Sequence, residues 1–246
     1  MLKFNKVSFR YTKDSPEILK DFSVDFPKNK ISVIMSPNGL GKTTILKLAS
    51  KIIYPDSGNI INNNKKISYV FQEDRLIDEL SVYENLKMIL DIRKPKFAKE
   101  KAFKVISQML KLLGIEQYIN CYPSELSGSM KKRVAIARAF LHPSQLLLMD
   151  EPFNNLDIEL KLDIMKTFAK LWTKNKRTVL FVTHSADEAL TLANRIYFFG
   201  KHPMKVIKTL DIKGNIKNRD ISSKPMVKYR RIILNYFFNR VKEEHK

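Results

Sequence analysis

Residues 30–49 read Lys30-Ile31-Ser32-Val33-Ile34-Met35-Ser36-Pro37-Asn38-Gly39-Leu40-Gly41-Lys42-Thr43-Thr44-Ile45-Leu46-Lys47-Leu48-Ala49, and this stretch decides the fold. The apolar run 31–35 predicts a buried strand, and the apolar residues of 45–49 sit at helical spacing. Between them lies a loop of glycines, a lysine and hydroxyl residues. Phosphate binding needs that chemistry. Backbone N–H groups must turn into a concavity, glycines must permit the torsions, a lysine must reach the terminal phosphates, and a hydroxyl must bind a divalent cation. Gly39, Gly41, Lys42 and Thr43 supply these, with Pro37, Asn38, Leu40 and Thr44 completing the loop. The Walker A pattern G-x-x-x-x-G-K-[ST] puts its first glycine at 36, where this chain has Ser36. A side chain there predicts a strand-to-loop turn that is altered or mildly strained but still binds.

Outward from the loop, Leu2 to Tyr11 and Ile18 to Phe26 alternate apolar and polar residues, predicting an antiparallel β layer at the start of the chain. Downstream, helix 130–141, strand 145–149, helix 158–172, strand 178–183, helix 186–193 and strand 195–199 alternate, which predicts a mostly parallel sheet. From Leu76 to about Pro123 the period turns helical, with Leu86, Ile89, Leu90, Val105, Ile106, Met109, Leu112 and Leu113 three or four apart, so a helical insert interrupts the core. Charged strand-like pieces follow Gly200, and then an apolar and basic helix over about 227–241. The expected class is α/β: a P-loop nucleotide-binding core with a mostly parallel sheet, an N-terminal antiparallel β subdomain and an inserted helical subdomain. The expected organisation is one domain over 1–220, with the helical part at about 76–142, and a basic helical extension over 221–246.

A second cluster appears where Leu146-Leu147-Leu148-Met149 delivers Asp150 and Glu151 at a strand's C-terminal edge, where ligands of open α/β sheets gather. Asp150 is the candidate metal ligand and Glu151 the candidate base for an attacking water. Upstream runs Leu126-Ser127-Gly128-Ser129-Met130-Lys131-Lys132-Arg133-Val134-Ala135-Ile136-Ala137-Arg138-Ala139. By itself this segment is a helix with a serine cap and a basic face.

Together these segments resemble the ABC ATPases, whose signature is Leu-Ser-Gly-Gly followed by Gln or Met; residue 129 is Ser where the family has its second glycine. The resemblance covers nearly the whole chain and implies ATP and Mg²⁺ as ligands. It implies that Ser127, Gly128 and Ser129 face the γ-phosphate of an ATP held by a second copy of the chain. Tyr11 resembles the aromatic that stacks on adenine; alone it reads as a strand aromatic. Gln72 resembles the glutamine that touches Mg²⁺ and the water, in a loop that senses the membrane partner. Thr43 and Asp150 complete the implied metal ligands. Asn154, Asn155, Leu156 and Asp157 resemble the loop that crosses the dimer interface, although Asp157 could equally cap the next helix. His184, at the end of strand 178–183, resembles the histidine that holds the water and the γ-phosphate. Lys42, Gln72, Glu151 and His184 are thus the catalytic candidates. The implied partners are permease subunits, through them a solute-binding protein, and a second ATPase copy. Finer details, among them Phe71-Gln72-Glu73-Asp74-Arg75-Leu76 and Thr183-His184-Ser185-Ala186-Asp187-Glu188-Ala189, resemble the nitrate, sulfonate and taurine importer subgroup, whose relatives include carriers of thiamine precursors.

Composition agrees with a partner-dependent role. The chain has 246 residues, 44% hydrophobic, enough for a full core. Cys121 has no second cysteine to pair with, and nothing after Met1 reads as a signal segment, so a cytoplasmic position on the inner membrane face is expected. No run approaches the roughly 18 apolar residues of a membrane helix. The net charge of +20 comes from lysines spread along the chain rather than interleaved with aromatics, which predicts a solvated basic surface and no nucleic-acid partner. Two other readings fit part of the pattern: a weakly catalytic regulatory subunit, suggested by Ser36 and Ser129, and an ABC-type ATPase acting on nucleic acid, which lacks support from any heptad run.

Overall fold

Strand 31–35 forms at the centre of the molecule, and the other elements arrange around it. The computed structural model describes residues 1–37, 39–63, 66–93, 98–154, 156–200 and 202–244; Asn38 and Asn155 lie outside the described residues. In order, the chain forms β1 (Leu2–Phe9), β2 (Leu19–Phe26), β3 (Ile31–Met35), α1 (Lys42–Ala49), β4 (Ser57–Asn62), β5 (Ile67–Val70), α2 (Val82–Arg93), α3 (Lys99–Leu112) and α4 (Gly128–Leu141). It continues with β6 (Leu146–Asp150), α5 (Ile158–Lys174), β7 (Thr178–Val182), α6 (Ala186–Leu192), β8 (Arg195–Gly200), β9 (Lys205–Asp211) and α7 (Lys224–Glu244).

Two sheets result: a three-stranded antiparallel one, β2-β1-β4, and a six-stranded one, β5-β6-β7-β3-β8-β9. The larger sheet is parallel except for β9, which runs antiparallel to β8. The sequence pattern did not reveal β4 and β5. The first is largely exposed and lacks a strong apolar alternation, and the second has only four residues.

The buried strands divide their side chains between two cores, because successive residues point to opposite faces. Val33 and Met35 of β3, Leu147 and Met149 of β6, Val179 and Phe181 of β7, and Ile196 and Phe198 of β8 face a core shared with α2, α3, α4 and α5. The intervening Ile34, Leu146, Leu148, Leu180, Val182, Tyr197 and Phe199 face α1 and the antiparallel sheet. This two-sided burial explains why the strands read as continuous apolar runs. Helix α7 adds Met226 and Ile233 to the first core, and its Tyr236 hydroxyl donates to the Phe199 carbonyl. Among the described residues no helix is long and apolar enough to cross a membrane.

Candidate active site

Three parallel strands end together. In register, Ile34 and Asp150 both lie opposite Val182. Beyond the strands the alignment continues: the Thr183 amide donates to the Ile34 carbonyl at 3.3 Å and the Glu151 amide to the Val182 carbonyl at 3.0 Å. The loop after β3, the acidic pair after β6 and His184 after β7 therefore share one carboxyl edge, where open α/β sheets place their ligands.

Gly39 and Gly41 carry the left-handed torsions of the loop, with φ of 78° and 85°. At Gly41 a side chain would also collide, since a Cβ would lie 2.5 Å from Ile18 Cγ2. Among the described non-glycine residues Ser36 is not one of those with positive φ, which corrects the expectation of a strained turn. The left-handed torsions fall at the two glycines, so position 36 needs no glycine. The Ser36 side chain is fully buried and its hydroxyl donates to the Pro37 carbonyl at 3.1 Å. Lys42 opens α1, and its ammonium donates to the Ser36 and Pro37 carbonyls, both at 3.1 Å. Burial lowers the Lys42 pKa, and the nearby charges of Glu151 and Asp150 partly offset that.

Asp150 is buried, which raises its pKa; a hydrogen bond from Thr43 counters the shift, the Glu151 charge adds to it, and Lys42 opposes it. A carboxylate and a hydroxyl held together beside a phosphate loop are hard oxygen donors, the kind Mg²⁺ takes while it keeps phosphate oxygens and water as its other ligands. The residues thus fit that ion. Gln72 is exposed two residues beyond β5, which pairs with β6 through Val70 and Met149. The Tyr69 phenol lies beside Asp150, and its pKa is raised by burial and then by the Asp150 charge.

Glu151 itself sits at φ 45°. A left-handed torsion on such a residue costs on the order of 1–3 kcal/mol and persists only where its surroundings hold it. Phe153, two residues on, is fully buried between Phe168 and Phe181, with ring centroids 6.5 and 5.7 Å away. Burying such a ring contributes about 1.5–3 kcal/mol, enough to offset the torsion. The Asn154 amide donates to Glu151 Oε2, and His184 Nδ1 stands 3.7 Å from the same oxygen. Tyr11 is 51% exposed, with its hydroxyl 3.0 Å from Thr44 Oγ1 and Lys47 Nζ 6.0 Å from its ring centroid, so an aromatic face lies open beside α1.

Other expected site residues lie apart. Ser127 caps α4, accepting from the Met130 amide at 3.3 Å, and its hydroxyl is 2.9 Å from that of Ser129. Ser127 and Gly128 are exposed, and a Cβ at Gly128 would meet nothing within 4 Å. Asp157 caps α5 through Leu160 at 2.9 Å. Among the described residues these hydrogen bonds stay local and none reaches Lys42, Asp150 or Glu151.

Sequence reasoning missed two features. Asn154 grips the Glu151 carboxylate, and only proximity in the folded turn reveals it. The basic face read into 131–138 is not wholly solvated, since Lys132 is 5% exposed and Arg138 donates to the Asp74 and Arg75 carbonyls at 2.8 and 2.7 Å.

Comparison with known proteins places this arrangement. A family model for the ABC transporter matches residues 19–154. A formylaminopyrimidine import ATP-binding protein of Halalkalibacterium halodurans is 32% identical over 94% of this chain and 92% of its own length. An aliphatic sulfonates import ATP-binding protein of Bacillus cereus is 33% identical over 86% of each. The dimeric structure of a bacterial ABC transporter cassette superposes with a TM-score of 0.78 at 27% identity, over 87% of this chain and all of that one. The dimeric post-hydrolysis state of an ATP-binding cassette, bound to ADP and Pi, gives a TM-score of 0.77 at 26% identity with the same coverage. With the phosphate loop, the acidic pair and the exposed Ser127-Gly128 segment in place, the chain belongs to the ABC transporter family, as an ATP-binding cassette that hydrolyses ATP.

Proposed function

We propose that two copies of this chain close head to tail around two ATP molecules and drive a separate permease that imports a small solute. The observation that carries this reading is the division of the site. Within one chain Lys42, Thr43, Asp150, Glu151 and His184 gather at the sheet edge, while Ser127 and Gly128 stand exposed elsewhere, with only local bonds among the described residues. Each chain then holds two half-sites that are complementary to those of a second copy. The dimeric state of solved cassettes similar to this chain supports the pairing of two copies.

In that dimer Lys42 and the loop amides bind the phosphates, with Tyr11 against the base. Thr43, Asp150 and Gln72 would hold Mg²⁺, which would supply neutralisation of charge on the phosphates. Glu151, oriented by Asn154, takes the proton of the attacking water, and His184 holds that water toward the γ-phosphate. The Ser127 hydroxyl and the helix start at Gly128 approach the same phosphate from the second copy. Catalysis of this kind rests on positioning and charge, so separating the copies stops it. The division into a catalytic part, 1–220, and a helical extension, 221–246, belongs to the same proposal, as does a place on the cytoplasmic membrane face beside the permease.

Import, and a solute in the range of sulfonates, taurine, nitrate or thiamine precursors, draws support from the two import proteins described above. The test is ATP hydrolysis by the purified chain over a range of concentrations, beside Glu151→Gln. We expect activity to rise more steeply than concentration and to vanish in the variant, while ATP binding is retained. Specific activity independent of concentration, down to dilutions at which sedimentation gives monomers, would refute the paired site.

A further inference from the structure

We propose that Lys132 is a positioning residue that ties the Gln72 loop to the helix bearing the signature segment of the same chain. The proposal rests on the composite-site reading above and adds a connection within each chain. Helix α4 begins at Gly128, and Lys132 lies one turn further along. Its ammonium donates to the Gln72 carbonyl at 2.8 Å and to the Phe71 carbonyl at 3.4 Å, and stands 2.7 Å from an Asp74 carboxylate oxygen. The side chain is 6% exposed, so it is not part of a solvated basic face. Arg138 binds the next carbonyls, those of Asp74 and Arg75. Burial depresses the Arg138 pKa, opposed by Asp74.

The Phe71, Gln72, Asp74 and Arg75 carbonyl oxygens are therefore held by two cations of one helix, and hydrogen bonds from cations are stronger than neutral ones. The loop's own packing completes a stiff unit. Phe71 stacks on Tyr69 with centroids 4.0 Å apart, and the Arg75 guanidinium lies 3.9 Å from the Phe71 ring centre. A helix that moves when its Ser127 end engages the partner's nucleotide carries the Gln72 carbonyl with it. Lys132 thus serves the hydrolysis site of its own chain, whereas the start of its helix serves the other site.

Heterodimers of differently tagged copies, studied with the permease, separate the two roles. In the parent pair one copy is wild type and the other carries Glu151→Gln, which leaves one active site. Lys132→Met is then placed either on the copy whose Glu151 and Gln72 serve the active site, or on the Glu151→Gln copy, which lends it only the signature helix. In the first arrangement we expect kcat about tenfold lower with the KM for ATP within about twofold, and in the second a rate near the parent's. Should Lys132→Met fail to fold, Asp74→Asn, which removes only the carboxylate of the ion pair, is expected to show the same asymmetry. Equal losses in the two arrangements, or a greater loss in the second, overturn the proposal. A parent pair whose rate is unchanged when Ser127→Arg is placed on the Glu151→Gln copy instead overturns the composite-site reading, and the proposal with it.

Discussion

Replacing Ser36 by the glycine that the Walker A pattern carries at that position tests whether this loop is compromised. The side chain is wholly buried, its hydroxyl donates to the Pro37 carbonyl, and the residue is not among those with positive φ. Glycine therefore relieves no torsion. It removes one hydrogen bond, worth about 0.5–1.5 kcal/mol net. It also frees the unfolded backbone, at a further cost of about 0.4–1 kcal/mol. Ser36→Gly should then destabilise the chain by roughly 1–2.5 kcal/mol, which for a chain of this size lowers Tm by about 2–10 °C. The Ser36 carbonyl that receives Lys42 belongs to the backbone and is unaffected, so ATP affinity should stay within about twofold. Thermal unfolding followed by circular dichroism gives the first quantity and equilibrium titration with a fluorescent ATP analogue the second. A variant that binds ATP more than about tenfold tighter with no loss of Tm would show that serine strains the loop, and the reasoning would fail.

Two further outcomes follow from the site. Asn154→Ala removes the donor that holds the Glu151 carboxylate; a hydrogen bond to a charged group is worth about 1.5–3 kcal/mol, so steady-state assays should find kcat down by roughly 10- to 100-fold with KM little changed, and an unchanged kcat would remove Asn154 from the mechanism. Lys42 has its pKa depressed by burial, and bound phosphates would raise it again, so binding takes up a proton once the free lysine has lost its own. ATP affinity should therefore be level at neutral pH and decline as pH rises through the depressed pKa, earlier than for an ordinary lysine. Calorimetric titrations between about pH 7 and about pH 10 would show this, and affinity flat across that range would contradict it.

The candidate site residues were legible because each sits in a short, local pattern. Gly39, Gly41, Lys42 and Thr43 follow a buried strand and open a helix. Asp150 and Glu151 end an apolar run, and Ser127 caps a helix, all features that depend on a few neighbouring residues. The strands of the large sheet were legible for a related reason, since burial on both faces leaves an unbroken apolar run.

What only the tertiary structure decided involves residues distant in sequence. At Ser36 the pattern predicts an altered or mildly strained turn because it specifies residue types and not torsions; the folded loop takes positive φ at Gly39 and Gly41. Strands β4 and β5 have too little apolar pattern to stand out alone and form because β1 and β6 offer edges to pair with. Lys132 resembled any other lysine on a basic helix. It becomes a clamp on the Gln72 loop only when packing brings residues sixty positions apart within 2.8 Å, and a buried ammonium must find acceptors there because it has lost water.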